Sequence, residues 1–165
     1  MTAFEPQQPV PVEIVVDGRS ERLSLETRTS LADALRDELA VTSVRLGCEQ
    51  GVCGSCAVVV DGVAQRSCLT LAVQVDGASV ETLSGVADRI EDLRAAFARN
   101  FAVQCGFCAS GVLVTAALWL DAAPLVDEAA IRTMLSGNVC RCSGYEGMVR
   151  AVRETAEARG LTGSA

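Results

Sequence analysis

The chain contains no histidine and no lysine, and aromatic residues make up only 4% of its 165 positions. Without histidine there is no Ser-His-Asp triad, no Cys-His nucleophile pair and no H-E-x-x-H zinc site. All 14 basic residues are therefore arginine, which removes the Walker A loop and Schiff-base chemistry as well. The missing lysine carries no further functional weight. With so few aromatics, any core must be built from Val, Leu, Ala and Ile. Positive charge is also scarce: 21 acidic residues against 14 basic ones give a net charge of −7. A nucleic-acid partner is not expected, since a phosphate backbone needs a basic face. Long apolar runs are absent too. Residues 112–120 form the longest, about half of what a membrane span requires. The opening MTAFEPQQPVPVEIVV has no basic segment followed by an apolar stretch and a cleavage site, so no signal peptide is expected. The chain reads as cytoplasmic.

What is present is cysteine. Eight occur, alongside an apolar fraction of 50% that is ample for a core. Dense cysteine can mean disulfides, metal or redox thiols. In a reducing compartment, metal is the leading reading.

The first half reads as short strands around one helix. Residues 11–17 alternate as a strand, Asp17-Gly18 is a hairpin turn signal, and residues 21–26 form the return strand. Ser30 with Asp33 resembles a helix start, and Leu31, Leu35 and Leu39 then share one face. A Gly- and Cys-rich loop spans 47–56. Residues 57–60 read as a buried strand, turned by Asp61-Gly62 into another that ends near Cys68. Residues 78–83 make one more. From Asp88 the period becomes helical. Ile90, Leu93, Phe97 and Phe101 mark one helix, and Ser110 is expected to cap a second. Pro124 and Asp127 open a third, with Ala130, Ile131, Met134 and Leu135 on one face. Tyr145, Met148 and Val152 mark a fourth, and the terminal LTGSA is expected to fray. The pattern is α+β, with a boundary near 84–88: a sheet-rich unit over 1–84 and a helical unit over 85–165.

The cysteines divide four and four across that boundary. Cys48, Cys53, Cys56 and Cys68 are spaced C-x4-C-x2-C-x11-C. Cys105, Cys108, Cys140 and Cys142 are spaced C-x2-C-x31-C-x1-C. Four thiolates suit a tetrahedral zinc or an iron–sulfur cluster. A zinc knuckle wants two C-x2–4-C pairs, whereas the C-x4-C-x2-C triplet is the spacing of plant-type [2Fe–2S] ferredoxins. Gly47, Gly51 and Gly54 interleave with that triplet, letting the backbone fold tightly and turn N–H groups toward sulfur. In the second quartet, a single residue between Cys140 and Cys142 suits two adjacent irons better than one compact zinc. Buried free thiols acting as small hydrophobes, zinc in the second quartet and a disulfide scaffold remain the blander readings. Arg141, between two cysteines, is expected either to offset cluster charge or simply to face solvent or a partner.

The segments GCEQGVCGSCAVVVDG (47–62), Arg66-Ser67-Cys68, QCGFCASG (104–111) and GNVCRCSGY (137–145) strongly resemble the small iron–sulfur subunit of the xanthine oxidase family of molybdenum hydroxylases. Its bacterial members include aldehyde, carbon monoxide and N-heterocycle dehydrogenases. The resemblance runs through residues 11–158. The first quartet alone would also resemble succinate dehydrogenase iron–sulfur subunits, but their C-x2-C-x2-C-x3-C-P runs are missing here.

This resemblance implies an N-terminal β-grasp ferredoxin domain and a C-terminal four-helix bundle, each holding one [2Fe–2S] cluster on its four cysteines. It implies a large partner subunit carrying a molybdenum–pterin cofactor, and a medium subunit carrying FAD. The C-terminal cluster would lie nearer the pterin, with Gln104 contacting it and Cys142 the nearest cluster ligand. Where the family often has Cys-Thr-Pro-Gly, this chain has Cys108-Ala109-Ser110-Gly111. The implied function is electron transfer inside a hydroxylase complex, with no catalytic residue on this chain. A free-standing ferredoxin-like carrier and a zinc-stabilised binding module are the alternatives. Each oxidised cluster with its four thiolates carries about −2, which would take the chain from −7 to about −11.

Overall fold

The computed structural model describes residues 8–122 and 125–162. Strand β1 (Val10–Val16) alternates in burial, with Val12, Ile14 and Val16 inward, as period-two patterning requires. It pairs antiparallel with β2 (Arg19–Leu25) across Asp17-Gly18. Both turn residues have positive φ, 49° and 80°, the type I′ geometry that matches strand twist. The same device joins β3 (Ala57–Val60) to β4 (Val63–Arg66), with Asp61 at 47° and Gly62 at 81°. Both turn aspartates also serve β5 (Ser79–Glu81) and its flank. Asp17 accepts from the Thr82 N–H and hydroxyl, both at 2.7 Å, and Asp61 accepts from the Ser79 N–H at 2.9 Å. The sheet order is β2-β1-β5-β3-β4, with β1 and β5 parallel and the other pairs antiparallel.

A single short helix crosses this sheet, completing the expected β-grasp. Helix α1 (Leu31–Asp33) is capped by the Ser30 hydroxyl, which accepts from the Asp33 N–H at 3.1 Å. It continues as a π-helical stretch, Ala34–Glu38. Leu31 and Leu35 are fully buried against β1 and β3. Leu39, placed on the same face by the sequence pattern, closes the stretch and is only half-buried.

The second half is helical. A 3₁₀ turn at Ala87–Ile90 leads into α2 (Glu91–Arg99), followed by α3 (Ala109–Ala122), α4 (Glu128–Leu135) and α5 (Glu146–Ala158). The α4 start is set by Asp127, whose carboxylate accepts from the Ala130 N–H at 2.7 Å. Pro124, read as part of that start, lies outside the described residues. Phe97, Leu93, Val112, Ile131, Leu135, Met148 and Val152 fill the space between these helices.

Some boundaries differ from the sequence reading. Helix α2 stops at Arg99, so Phe101 does not extend its apolar face. Phe101 takes φ 52° and is 78% exposed. Ser110 is not a cap. It sits in the first turn of α3, buried, while the Cys108 carbonyl accepts the Val112 N–H at 3.0 Å. Strand β4 ends at Arg66, and Cys68 sits in the 3₁₀ turn Ser67–Leu69. Leu161, expected to fray, is held by two backbone bonds. Its carbonyl accepts from the Val126 N–H at 2.7 Å, and its N–H donates to Ala156 at 2.8 Å.

Strand β3 joins the halves because both its faces are buried. Val58 and Val60 belong to the sheet-side core, while Ala57 and Val59 belong to the helical core. Helix α3 presses on the loop leading into β3 at Gly111, where an added Cβ would lie 2.8 Å from Ser55 Cα and clash with the Gly54 carbonyl oxygen.

Candidate functional site

The loop between the π-helical stretch and β3 carries Cys48, Cys53 and Cys56. Its curvature comes from left-handed residues at Glu49, Gly51 and Gly54, with φ of 52°, 78° and 75°. At Gly51 a side chain would also run into Leu69. The curl turns N–H groups onto sulfur: Cys53 and Gln50 donate to Cys48 Sγ at 3.3 and 3.4 Å. The Cys53 N–H, then that of Gln50, holds the Cys48 thiol down at about 7 against an ordinary 9.0. Cys68 moves the other way, to about 11, because burial and then the neighbouring Cys56 thiol disfavour its charge. Cys56 is buried, and its carbonyl accepts the Ser67 hydroxyl at 2.7 Å. The quartet is thus two adjoining pairs, Cys48 with Cys53 and Cys56 with Cys68.

The second quartet is also paired. Cys105 and Cys142 are exposed, and the Cys142 thiol donates to Cys105 Sγ at 3.6 Å. The Phe107 N–H, then the Cys142 thiol, lowers Cys105, whereas Cys142 is raised by Cys105. Cys108 lies buried at the start of α3, pushed up to about 12 by burial and then by Cys140. Burial raises Cys140, but the Ser143 hydroxyl and N–H, at 3.1 and 3.4 Å, overcome this and hold it below its ordinary value. In both pairs of this second quartet, one sulfur is favoured as thiolate and the other as thiol.

All eight cysteines are free. Among the described residues no three Cys, Asp or Glu side chains converge on the radius of a single ion. The sites are pairs rather than tetrahedra, and two pairs of sulfurs with inward N–H donors fit a two-iron, two-sulfide group.

Gln104 is exposed beside Cys105, its amide donating to the Phe101 carbonyl at 3.5 Å. Arg141 is exposed and has no ion-pair partner among the described residues. Sequence reasoning gave no site role to Arg66, Asn138 or Tyr145, reading Tyr145 only as a marker of the fourth helix, although all three lie inside the quoted motifs. Arg66 donates to the Gly137 carbonyl at 2.6 Å. The buried Asn138 amide donates to the Gly54 carbonyl at 3.2 Å. The Tyr145 hydroxyl accepts from the Cys140 N–H at 2.8 Å and donates to the Asn138 carbonyl at 3.1 Å. Arg66 and Asn138 fasten the segment before Cys140 to the half that carries the other quartet, and Tyr145 braces that segment from within; a sequence motif does not display these contacts.

Comparison with known proteins places both halves. Residues 6–102 match the family described as "2Fe-2S iron-sulfur cluster binding domain", and residues 79–153 match "[2Fe-2S] binding domain". The chain is 44% identical to the nicotine 6-hydroxylase small subunit of Paenarthrobacter nicotinovorans, covering 92% of this chain and 93% of that one. It is 41% identical to the caffeine dehydrogenase subunit gamma of Pseudomonas sp. (strain CBB1), covering 86% and 88%. Among solved structures, a chain of quinoline 2-oxidoreductase from Pseudomonas putida 86 superposes with a TM-score of 0.85 at 41% identity, over 94% of this chain and 100% of that one.

Proposed function

The chain belongs to the small iron–sulfur subunits of the xanthine oxidase family of molybdenum hydroxylases and is an electron-transfer subunit of an oxidoreductase complex; on that premise we propose which residues hold its clusters and which faces receive and pass on electrons. Cys48, Cys53, Cys56 and Cys68 hold one [2Fe–2S] cluster. Cys105, Cys108, Cys140 and Cys142 hold the other, in two domains that meet near 84–85. The observation that carries this is the two-plus-two grouping of eight free thiols, with backbone N–H groups aimed at Cys48, Cys105 and Cys140. When bound, such clusters supply one-electron oxidation and reduction.

The chain's own part is to hold and shield the thiolates. The N–H groups of Gln50, Cys53, Phe107 and Ser143 stabilise negative sulfur. Cys56 and Cys108 exclude water from the inner side of each site, at 2% and 8% exposure. Cys105 and Cys142 open outward beside Gln104, and this face is assigned to the large molybdenum–pterin subunit, with Gln104 contacting the pterin. At the other quartet, the exposed Val52 and Leu69 flank the side assigned to the FAD-binding medium subunit. A cytoplasmic setting keeps eight thiols reduced for cluster assembly. No helix among the described residues is long and apolar enough to cross a membrane.

The test is low-temperature EPR of the reduced protein, with iron and acid-labile sulfide counted on the same sample. Two distinct spin-one-half signals and about four of each element per chain are expected. Zinc in place of iron would sink this reading in favour of a binding module. Both clusters on a chain that purifies alone would favour a free carrier.

A further inference from the structure

The turn after Cys140 folds one residue back over its sulfur. Ser143 reaches Cys140 Sγ twice, with its backbone N–H at 3.4 Å and its hydroxyl oxygen at 3.1 Å. Cys48, in the other quartet, is served instead by the backbone N–H groups of Gln50 and Cys53. The Ser143 hydroxyl has a second partner: the Tyr145 N–H donates to it at 3.1 Å. That partner decides the direction of the contact with sulfur. A serine hydroxyl carries one hydrogen and accepts through its oxygen. Here the oxygen already accepts from Tyr145, so the one hydrogen is left for Cys140. A thiolate bound to iron has no proton to give and can only accept.

The backbone is bent to make this arrangement. Gly144 and Tyr145 take successive left-handed φ values of 63° and 68°. Such a φ costs a bulky residue energy and persists only where its surroundings enforce it. The bend returns the Tyr145 N–H to Ser143, two residues back. The Tyr145 hydroxyl holds it from the other end, accepting from the Cys140 N–H at 2.8 Å and donating to the Asn138 carbonyl at 3.1 Å. Ser143 is half-buried, and Cys108, which pairs with Cys140, is 8% exposed. Water therefore screens the Ser143 bond less than it screens the exposed pair, Cys105 and Cys142.

We propose that Ser143 is a positioning residue that raises the reduction potential of the C-terminal cluster, its hydroxyl donating to Cys140 Sγ in the orientation set by the Tyr145 N–H. The inference rests on the cluster assignment above. The electron comes from substrate oxidation in the complex. It turns one ferric iron ferrous and adds one negative charge to the cluster; no bond breaks and no proton moves. Hydrogen bonds to a charged acceptor are roughly twice as strong as neutral ones. The Ser143 bond tightens as that charge arrives and so favours the reduced form. The hydroxyl acts through the Cys140 sulfur, so its effect belongs to the C-terminal cluster alone.

The experiment is a redox titration of the intact complex followed by low-temperature EPR, with the two cluster signals read separately. Ser143→Ala removes the hydroxyl and keeps the N–H. It is expected to lower the reduction equilibrium constant of the C-terminal cluster several-fold, at most about tenfold, which is ~59 mV for a one-electron couple. The N-terminal cluster should titrate at its wild-type potential. Ser143→Thr keeps a hydroxyl and should restore the wild-type value. After exchange into heavy water, hyperfine spectroscopy of the C-terminal signal should show a deuteron that Ser143→Ala lacks and Ser143→Thr retains. An unchanged C-terminal potential in Ser143→Ala, with both signals present, overturns the proposal. So does a shift in Ser143→Thr as large as that in Ser143→Ala, which would make the effect one of packing. If Ser143→Ala fails to load, Ser143→Val against Ser143→Thr, a pair matched in shape, makes the same comparison, and equal potentials overturn the proposal. Absence of a C-terminal signal in the wild-type complex would instead refute the cluster assignment itself.

Discussion

Gly111→Ala sets two effects of known sign against each other. Gly111 lies inside α3. By intrinsic propensity alone, alanine there should stabilise the helix by about 1 kcal/mol. The tertiary environment opposes this. The new Cβ would meet the Gly54 carbonyl oxygen, lie 2.8 Å from Ser55 Cα and 3.0 Å from the Gly54 carbonyl carbon. All three are backbone atoms, so no rotamer change relieves the contact. Overpacking of this kind costs about 1–3 kcal/mol and occasionally more, and a clash with fixed backbone belongs at the upper end. The net expectation is a loss of about 2 kcal/mol, or a fall in Tm of about 4–8 °C for a domain of this size. Thermal unfolding of the holo chain followed by circular dichroism measures it. The EPR signal of the N-terminal cluster should change as well, because the displaced loop carries Cys53 and Cys56. Gly18→Ala is the control: its φ is +80° but nothing lies within 4 Å, so it bears only a conformational cost of about 1–2 kcal/mol and leaves the EPR spectrum untouched. A Gly111→Ala variant as stable as wild type, or more so, would refute the close approach of α3 to that loop.

Cys105→Ser is expected to abolish the C-terminal cluster's EPR signal, keep the N-terminal one and stop turnover with any acceptor; normal turnover would overturn the electron route. In metal-stripped protein, iodoacetamide should label Cys48 first at pH 7, because a thiol held at about 7 is then about half thiolate, the reactive form. Its labelling should rise as pH passes through 7 and level off above, while Cys108, raised to about 12, labels last; peptide mapping by mass spectrometry reads the order. Phe97→Ala removes a ring that is 2% exposed between the helices and should cost about 3–5 kcal/mol, measured by denaturant unfolding of the holo chain.

The order and type of elements were legible in the sequence because local rules decided them. Asp17-Gly18 and Asp61-Gly62 form the expected hairpin turns, since few residue pairs accept two successive positive φ values. Alternation in β1 and helical spacing in α2, α4 and α5 reported burial correctly. The cysteine spacings separated the two quartets without any coordinates. Local rules failed where contacts from elsewhere set the outcome. Phe101 matches the helical period but lies beyond the end of α2. There the Asn100 side chain accompanies the cap, donating to the Ala96 carbonyl at 3.0 Å and to Glu154 of α5 at 2.6 Å. Ser110 has the chemistry of a cap, but α3 begins a residue earlier and buries it against the helical core.

By itself, then, the sequence determined a chain of strands and helices carrying two sets of four thiols, because turn chemistry, periodicity and ligand spacing all act over a few residues. Only the tertiary structure decided how those sets split into pairs and how they face each other. The contacts that do so, Arg66 with Gly137, Gly54 with Asn138 and Cys53 with Val139, join residues 71 to 86 positions apart. Nothing in local propensity reports a hydrogen bond between loops so distant. It exists because β3 is buried on both faces and brings α3, and with it the second cysteine loop, against the first.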